Sequence, residues 1–197
     1  MRRHPLSTAL AASIVIAGVA LAVPASAQNS PNRWRNADTT HGNFYLGVSG
    51  GPVCNRVDCG LNDGANIIVW QAGQSDQFWW PWSALAGPVE NYYDVLNPLA
   101  PACLGVAGGK LDAGIPLIIW GCNGSDDQSW KLVSADLYNA PFPGCFVFNN
   151  NKSGMVMGVS GGTVQNGTKV IQWPMFYGTP GAKTGWHPDQ FWCPQSN

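Results

Sequence analysis

The chain has 197 residues, of which 11% are charged, 24 are Gly and 15 are Pro, and this content of helix breakers excludes an architecture of long helices. Its 10 Trp, 7 Phe and 5 Tyr can bury a large apolar surface, which excludes a disordered chain. The net charge of −1 gives no electrostatic reason to bind nucleic acid, so the composition predicts a compact, turn-rich, all-β domain.

The N-terminal segment has the pattern of a secretory signal peptide. Arg2 and Arg3 precede an apolar run over residues 9–23, and Ala25-Ser26-Ala27 then supplies the small residues that signal peptidase accepts. Cleavage before Gln28 would make residues 1–27 the signal peptide and the mature protein secreted and extracellular. The apolar run is short for a membrane span of about 20 residues, so we expect no membrane insertion.

All the cysteines follow the predicted cleavage site. An even number in an oxidising compartment implies three disulfide bonds, formed among Cys54, Cys59, Cys103, Cys122, Cys145 and Cys193. Six cysteines allow fifteen pairings, so their spacing does not settle the connectivity. No Cys-x-x-Cys pair occurs and two histidines follow residue 27, so we expect neither a structural zinc site nor a cofactor.

Three segments of the remaining chain share one template. Each contains a Gly-Val-x-Gly-Gly stretch (residues 47–51, 105–109 and 158–162), then a glycine turn, an apolar strand that ends in tryptophan, and a closing Asp-Gln-x-Trp motif. The strand-ending tryptophans are Trp70, Trp120 and Trp173, and the closing motifs begin at Asp76, Asp127 and Asp189. The distance from Gly105 to Trp120 and from Gly158 to Trp173 is 15 residues, whereas the first repeat carries an insert over residues 52–59. The recurrence indicates an internal triplication.

Each repeat consists of short apolar strands separated by glycine turns, with no helical period. One such unit cannot bury its own apolar face, but three copies that close on each other remove the exposed strand edges. The pattern therefore predicts a closed threefold barrel over residues 44–197, preceded by an N-terminal extension over residues 28–43. The repeats span about residues 44–82, 102–133 and 155–193.

Repeat two carries the strongest resemblance to a known family. Cys103-Leu104, Gly108-Gly109, Trp120, Cys122-Asn123-Gly124 and Gln128-x-Trp130 resemble the ricin-B-type lectin repeat, the QxW family. The resemblance implies a single β-trefoil. It also implies that Trp79, Trp130 and Trp192 lie in the shared core, and that Gln77, Gln128 and Gln190 bond backbone groups of the adjacent loops.

The resemblance also implies a disulfide pairing. Cys103 and Cys122 stand at the positions that pair within a repeat of the family. Cys54 and Cys59 both lie in the insert of repeat one and should pair locally, which leaves Cys145 to pair with Cys193.

In the family, an aromatic residue at the position of Trp70, Trp120 and Trp173 supplies a face on which a sugar ring stacks. Packing of these side chains into the core is the alternative, because each follows a strand-like run. The carboxylate that the family places after its Cys-Leu pair is replaced by Gly47, Gly105 and Gly158, and the residue two before each aromatic is apolar (Ile68, Ile118 and Ile171). Hydrogen bonding to a sugar then falls to Asp76 and Gln77, to Asn123, Asp127 and Gln128, and to Asp189 and Gln190.

We expect the repeat-two pocket to be the best ligand site. There the predicted disulfide bond, Trp120, Asn123-Gly124 and Asp127-Gln128 all occur together. Two further aromatic segments, Trp79–Trp82 and Pro174–Pro188, could carry a separate site or could fill the open ends of the barrel.

The sequence thus predicts a secreted, lectin-like carbohydrate-binding module that recognises neutral glycans or polysaccharides by aromatic stacking and hydrogen bonds. The alternative is a secreted β-trefoil that is directed at a protein partner and binds no sugar. An enzyme is not expected, because Glu90 is the one glutamate and no histidine stands in a hydrolase or metal-ligand motif.

Overall fold

The computed structural model describes residues 32–51, 63–82, 92–97, 102–178 and 184–195, and within them it contains β-strands and short 3₁₀ turns but no α-helix. The predicted signal peptide and the predicted Cys54–Cys59 bond lie outside the described residues. The strands are β1 (Asn32–Asn36), β2 (Phe44–Val48), β3 (Ile67–Gln71), β4 (Phe78–Trp82), β5 (Tyr92–Asn97), β6 (Ala102–Val106), β7 (Leu117–Gly121), β8 (Ser129–Ser134), β9 (Phe146–Asn150), β10 (Val156–Val159), β11 (Val170–Trp173) and β12 (Trp192–Gln195).

Six of these strands close into a barrel. The antiparallel pairs run from β1 to β4, β5, β8, β9 and β12, and β12 pairs back with β1. Each repeat therefore contributes its first and last strands to the ring, and closure leaves no free edge in it.

The other six strands form three hairpins, one per repeat: β2–β3, β6–β7 and β10–β11. Each hairpin bridges the other two through the pairs Asn66–Ile118, Pro116–Ile171 and Ile68–Lys169. A six-stranded barrel that carries three mutually bridged hairpins is a β-trefoil, which confirms the predicted fold.

The closing tryptophans Trp79, Trp130 and Trp192 form the centre of the core and are fully buried. Each indole Nε1 donates a hydrogen bond to a carbonyl of the hairpin strand in its own repeat, that of Leu46, Leu104 or Met157, at 2.9–3.1 Å. Each indole thus satisfies its polar atom while it removes roughly 150–250 Å² of surface from water, so barrel and hairpins are tied together.

The barrel begins earlier than the repeat template does. Strand β1 pairs with β12, β4 and β2, although the sequence assigned its residues to an N-terminal extension. Trp34 on this strand is fully buried and meets the ring of Phe148 edge-on, with the centroids 4.7 Å apart. Strands β5 and β9 likewise precede the expected starts of repeats two and three. The barrel needs these strands because each one pairs with two other strands of the six-stranded ring.

Two disulfide bonds lie within the described residues, and both match the predicted pairing. Cys103–Cys122 joins β6 to the loop after β7, and Cys145–Cys193 joins the segment before β9 to β12. Such bonds are consistent with an oxidising, extracellular location. No helix in the described part of the chain has the length and apolar character needed to cross a membrane.

The aromatic insert after β11 belongs partly to the core. Trp186 is 7% exposed and packs edge-on against Phe191, which in turn contacts Phe142 in a second buried cluster beside the Cys145–Cys193 bond. Phe176 and Tyr177, in contrast, are exposed. The insert therefore buries Trp186 in this second cluster and leaves Phe176 and Tyr177 exposed, while the filling of a barrel end stays a prediction.

Candidate functional site

Three surface pockets occupy equivalent places in the three repeats. Pockets one, two and three have volumes of about 290, 280 and 370 Å³. Each is lined by the glycines of the Gly-Gly stretch, the strand-ending tryptophan, the isoleucine two residues before it and the aspartate of the closing motif. Pocket one contains Ile68, Trp70 and Asp76; pocket two contains Ile118, Trp120 and Asp127; pocket three contains Ile171, Trp173 and Asp189.

The pocket tryptophans are not core residues, because Trp70, Trp120 and Trp173 are 40%, 45% and 37% exposed. One edge of each indole nevertheless packs against a glycine turn of a different repeat. A Cβ added to Gly64, Gly114 or Gly167 would lie 3.6, 3.5 or 3.7 Å from Cζ3 of Trp120, Trp173 or Trp70, respectively. A neighbouring turn thus supports each indole, while part of the ring stays open to the pocket.

The pocket carboxylates occupy space that the template glycines leave free. A Cβ added to Gly47 would lie 2.9 Å from Oδ2 of Asp76, and the matching distances are 3.5 Å from Gly105 to Asp127 and 3.3 Å from Gly158 to Asp189. The aspartates sit on the 3₁₀ turns Ser75–Gln77, Asp126–Gln128 and Pro188–Gln190. In each pocket, the closing motif therefore supplies a carboxylate next to the template glycine, at the position where the side chain of an acidic residue would otherwise begin.

Three different environments hold these carboxylates. Asp76 is 3% exposed and accepts a hydrogen bond of 2.7 Å from the backbone N–H of Val48. Asp189 lies 3.6 Å from Nδ1 of His187, and burial raises the pKa of its carboxyl group, opposed by His187 and by backbone hydrogen bonds. Asp127 is half-buried and accepts a hydrogen bond from the Ser125 hydroxyl.

The closing-motif glutamines fix the loop that follows each pocket tryptophan. In every repeat, Nε2 donates to the carbonyl one residue after the tryptophan, and Oε1 accepts from the N–H three residues after it. The partners are Gln71 and Gly73 for Gln77, Gly121 and Asn123 for Gln128, and Pro174 and Phe176 for Gln190, at 2.9–3.1 Å. These side chains are at most 2% exposed and their amides bond the backbone. They position the loop, as expected. Gln128 and Gln190 also line pockets two and three, and the sugar contact that the sequence assigned to the glutamines stays a prediction.

The residue three positions after each tryptophan differs between the repeats. It is Gly73 in repeat one, while Asn123 lines pocket two and Phe176 lines pocket three. The Phe176 ring stacks on His187, with centroids 4.1 Å apart, so pocket three gains an aromatic wall. The sequence analysis assigned Phe176 and His187 to the insert. Phe176 stands three residues after Trp173, as Asn123 does after Trp120, and this spacing could have placed Phe176 in the pocket.

Pocket two also receives a residue from outside its repeat. Lys152, in the turn between β9 and β10, lines this pocket beside Asp127 and Trp120. No sequence pattern pointed to Lys152, because the contact joins repeat three to repeat two.

Comparison with known proteins gives a family match. The model of the ricin-type beta-trefoil lectin domain-like family matches residues 75–173, half of the chain. No curated protein sequence matches the chain significantly.

Solved structures resemble the fold at low sequence identity. A designed threefold-symmetric protein, ThreeFoil, is 20% identical with a TM-score of 0.65, and the match covers 85% of this chain and 99% of that one. An exo-beta-1,3-galactanase from Clostridium thermocellum is 18% identical with a TM-score of 0.61, over 84% of this chain and 30% of that one. A Polyporus squamosus lectin bound to a sialylated influenza-binding epitope is 17% identical with a TM-score of 0.58, over 85% and 49%. The chain thus spans less than half the length of the last two proteins.

Proposed function

Because the chain belongs to the ricin-type β-trefoil lectin-like family, we propose that it is a secreted carbohydrate-binding module whose pockets hold neutral sugar rings by aromatic stacking and hydrogen bonds. The observation that carries this proposal is the pairing, in each pocket, of an exposed indole face with a carboxylate. A pyranose has an apolar C–H face that stacks on an indole and hydroxyl groups that donate to a carboxylate.

The position of the carboxylates supports all three pockets. Where the family has a hydrogen-bond acceptor on the strand, this chain has a glycine (Gly47, Gly105 and Gly158). The closing motif places a carboxylate beside each of these glycines, from Asp76, Asp127 and Asp189, respectively. We propose that the aspartates accept hydrogen bonds from sugar hydroxyls. Asn123 adds an exposed amide in pocket two, as Gln74 does in pocket one, and Lys152 also lines pocket two, which favours that pocket for directional contacts.

Binding without catalysis fits this arrangement. Among the described residues, each pocket is lined by one aspartate and no glutamate. Glycoside hydrolysis commonly uses a pair of carboxyl groups that flank the scissile bond. Secretion is supported by the predicted signal peptide and by the two disulfide bonds.

The test is retention of the purified protein on insoluble xylan, chitin and cellulose, followed by an array of mono- and oligosaccharides. We expect retention on at least one polysaccharide and release by a soluble oligosaccharide of the same sugar. The control variant is Tyr177→Ala, because Tyr177 is 68% exposed and lines none of the three pockets. If the folded protein is retained by no polysaccharide and binds nothing on the array, the proposal is wrong and the protein-directed alternative takes its place.

A further inference from the structure

The charges that line the three pockets are not equivalent. Each pocket contains an aspartate, but within the described residues Lys152 is the one lysine or arginine side chain that lines any of them, and it lines pocket two. A ligand in pocket two therefore meets both a carboxylate and an ammonium group.

Hydrogen bonds tie the turn that carries Lys152 to the segment that carries Asp127. Asn150 Nδ2 donates to the carbonyl of Asp127, and Asn151 Nδ2 donates to Oδ1 of Asp126. The Asn150 Oδ1 atom accepts from the backbone N–H groups of Lys152 and Ser153 at 3.1 and 3.2 Å. The backbone of Lys152 is thus fixed relative to the pocket carboxylate, although its side chain is exposed.

The ammonium group lies at the Gly-Gly stretch of pocket two. A Cβ added to Gly109 would lie 2.7 Å from Nζ of Lys152 and 3.3 Å from Oδ1 of Asp127. In the described part of the chain, no carboxylate lies within ion-pair distance of Nζ, since the one such pair there joins His187 and Asp189. The positive charge is therefore available to a ligand that enters between Trp120 and Asp127.

We propose that pocket two selects an acidic sugar, a pyranose whose ring carries a carboxylate or sulfate group. The ring would stack on Trp120, its hydroxyls would donate to Asp127, and its anionic group would accept a charge-assisted hydrogen bond from Lys152. This inference rests on the proposed function and changes it at one place: pocket two takes an acidic ring, while pockets one and three keep neutral ones.

The experiment compares matched pairs of oligosaccharides of equal length: xylo-oligosaccharides with and without glucuronic acid, galacto-oligosaccharides against oligogalacturonate, and galacto-oligosaccharides with and without 6-sulfate. Calorimetric titration of the wild-type protein should show tighter binding of the acidic member in at least one pair. The carboxylate and sulfate arms identify which group is recognised. The preference should weaken between 0.05 M and 0.5 M NaCl, because salt screens an exposed charge pair.

Lys152→Met keeps the aliphatic stem and removes the charge. It should weaken binding of the preferred acidic oligosaccharide about tenfold, the scale of one charged hydrogen bond, and leave the neutral partner within about twofold. Lys152→Arg should retain the preference. The matched control is Lys169→Met, which removes the same charge from an exposed residue that lines none of the three pockets and should change neither affinity.

The inference is overturned if no acidic member binds more tightly than its neutral partner, or if Lys152→Met weakens both members equally. If this happens while neutral oligosaccharides still bind the wild-type protein, the proposed function stands and only the acidic specificity of pocket two is wrong. When neither member of any pair binds and the polysaccharides retain nothing, the proposed function fails as well.

Discussion

The three closing-motif glutamines should contribute unequally to stability. Gln77 makes four hydrogen bonds to the backbone, with Oε1 shared between Gly73 and Gln74 and Nε2 shared between Trp70 and Gln71. The amides of Gln128 and Gln190 make two each. We expect replacement by Met, which keeps the buried volume, to remove these bonds and leave the loop groups without their partners.

A net value of about 1 kcal/mol per hydrogen bond gives a loss of about 2 kcal/mol for Gln128→Met and for Gln190→Met. Gln77→Met should lose about 3–4 kcal/mol. This is somewhat less than twice the loss for either other variant, because hydrogen bonds that share an atom are individually weaker. The assay is urea unfolding followed by tryptophan fluorescence, with an unchanged m-value as evidence that the change lies in stability.

The control is Gln165→Met, because the Gln165 side chain is exposed and surface substitutions of this kind stay within about 0.5 kcal/mol. If the three buried variants match this control, the hydrogen bonds do not fix the loops. If Gln77→Met is the mildest of the three, the assignment of its four bonds is wrong.

Three further outcomes follow from the geometry. Burial raises the pKa of Asp189 in the folded protein above the value of about 4 in the unfolded chain, so the contribution of Asp189 to stability should fall as pH rises from the unfolded pKa through the folded pKa. Asp189→Asn should therefore be more stable relative to wild type at pH 7 than at pH 3, and a pH-independent difference in urea midpoints would refute this. Gly47→Ala places a Cβ against Asp76 Oδ2 and should destabilise by about 1–3 kcal/mol and weaken glycan binding in pocket one; a variant with wild-type stability and affinity would show that the carboxylate has room to move. Replacing Cys145 and Cys193 together by Ser opens a loop of 48 residues and should lose about 4 kcal/mol by the chain-entropy model, which thermal unfolding measures; no loss of stability would contradict it.

Much of the fold could be predicted because the repeated residues are of types that mark particular turns, strand ends and core positions. The Gly-Gly stretches, the strand-ending tryptophans and the Asp-Gln-x-Trp motifs recur in register, and they define the hairpins and the last strand of each repeat. The first strands could not be found in this way, because Asn32–Asn36, Tyr92–Asn97 and Phe146–Asn150 share no template residue. Their place is set by pairing with strands that are distant in the chain.

The candidate site was only partly predictable for a related reason. Residue type identified the tryptophans and the aspartates, but the return of a carboxylate to the space beside Gly47 depends on how a 3₁₀ turn packs against β2. Lys152 reaches pocket two from the following repeat, and His187 enters pocket three from an insert that the other repeats lack. Contacts of this kind have no period in the sequence.

The central claim is that the three exposed tryptophans are the faces on which sugars stack. Its most direct test is calorimetric titration of wild type, of Trp70→Ala, Trp120→Ala and Trp173→Ala, and of the triple variant, with an oligosaccharide from the polysaccharide that retains the protein. Each single substitution should weaken its own pocket by about 1–3 kcal/mol, the scale of burying one large apolar side chain, and the triple variant should show no measurable binding. A triple variant with unchanged near-ultraviolet circular dichroism from the buried tryptophans, and with wild-type affinity and stoichiometry, would contradict the claim.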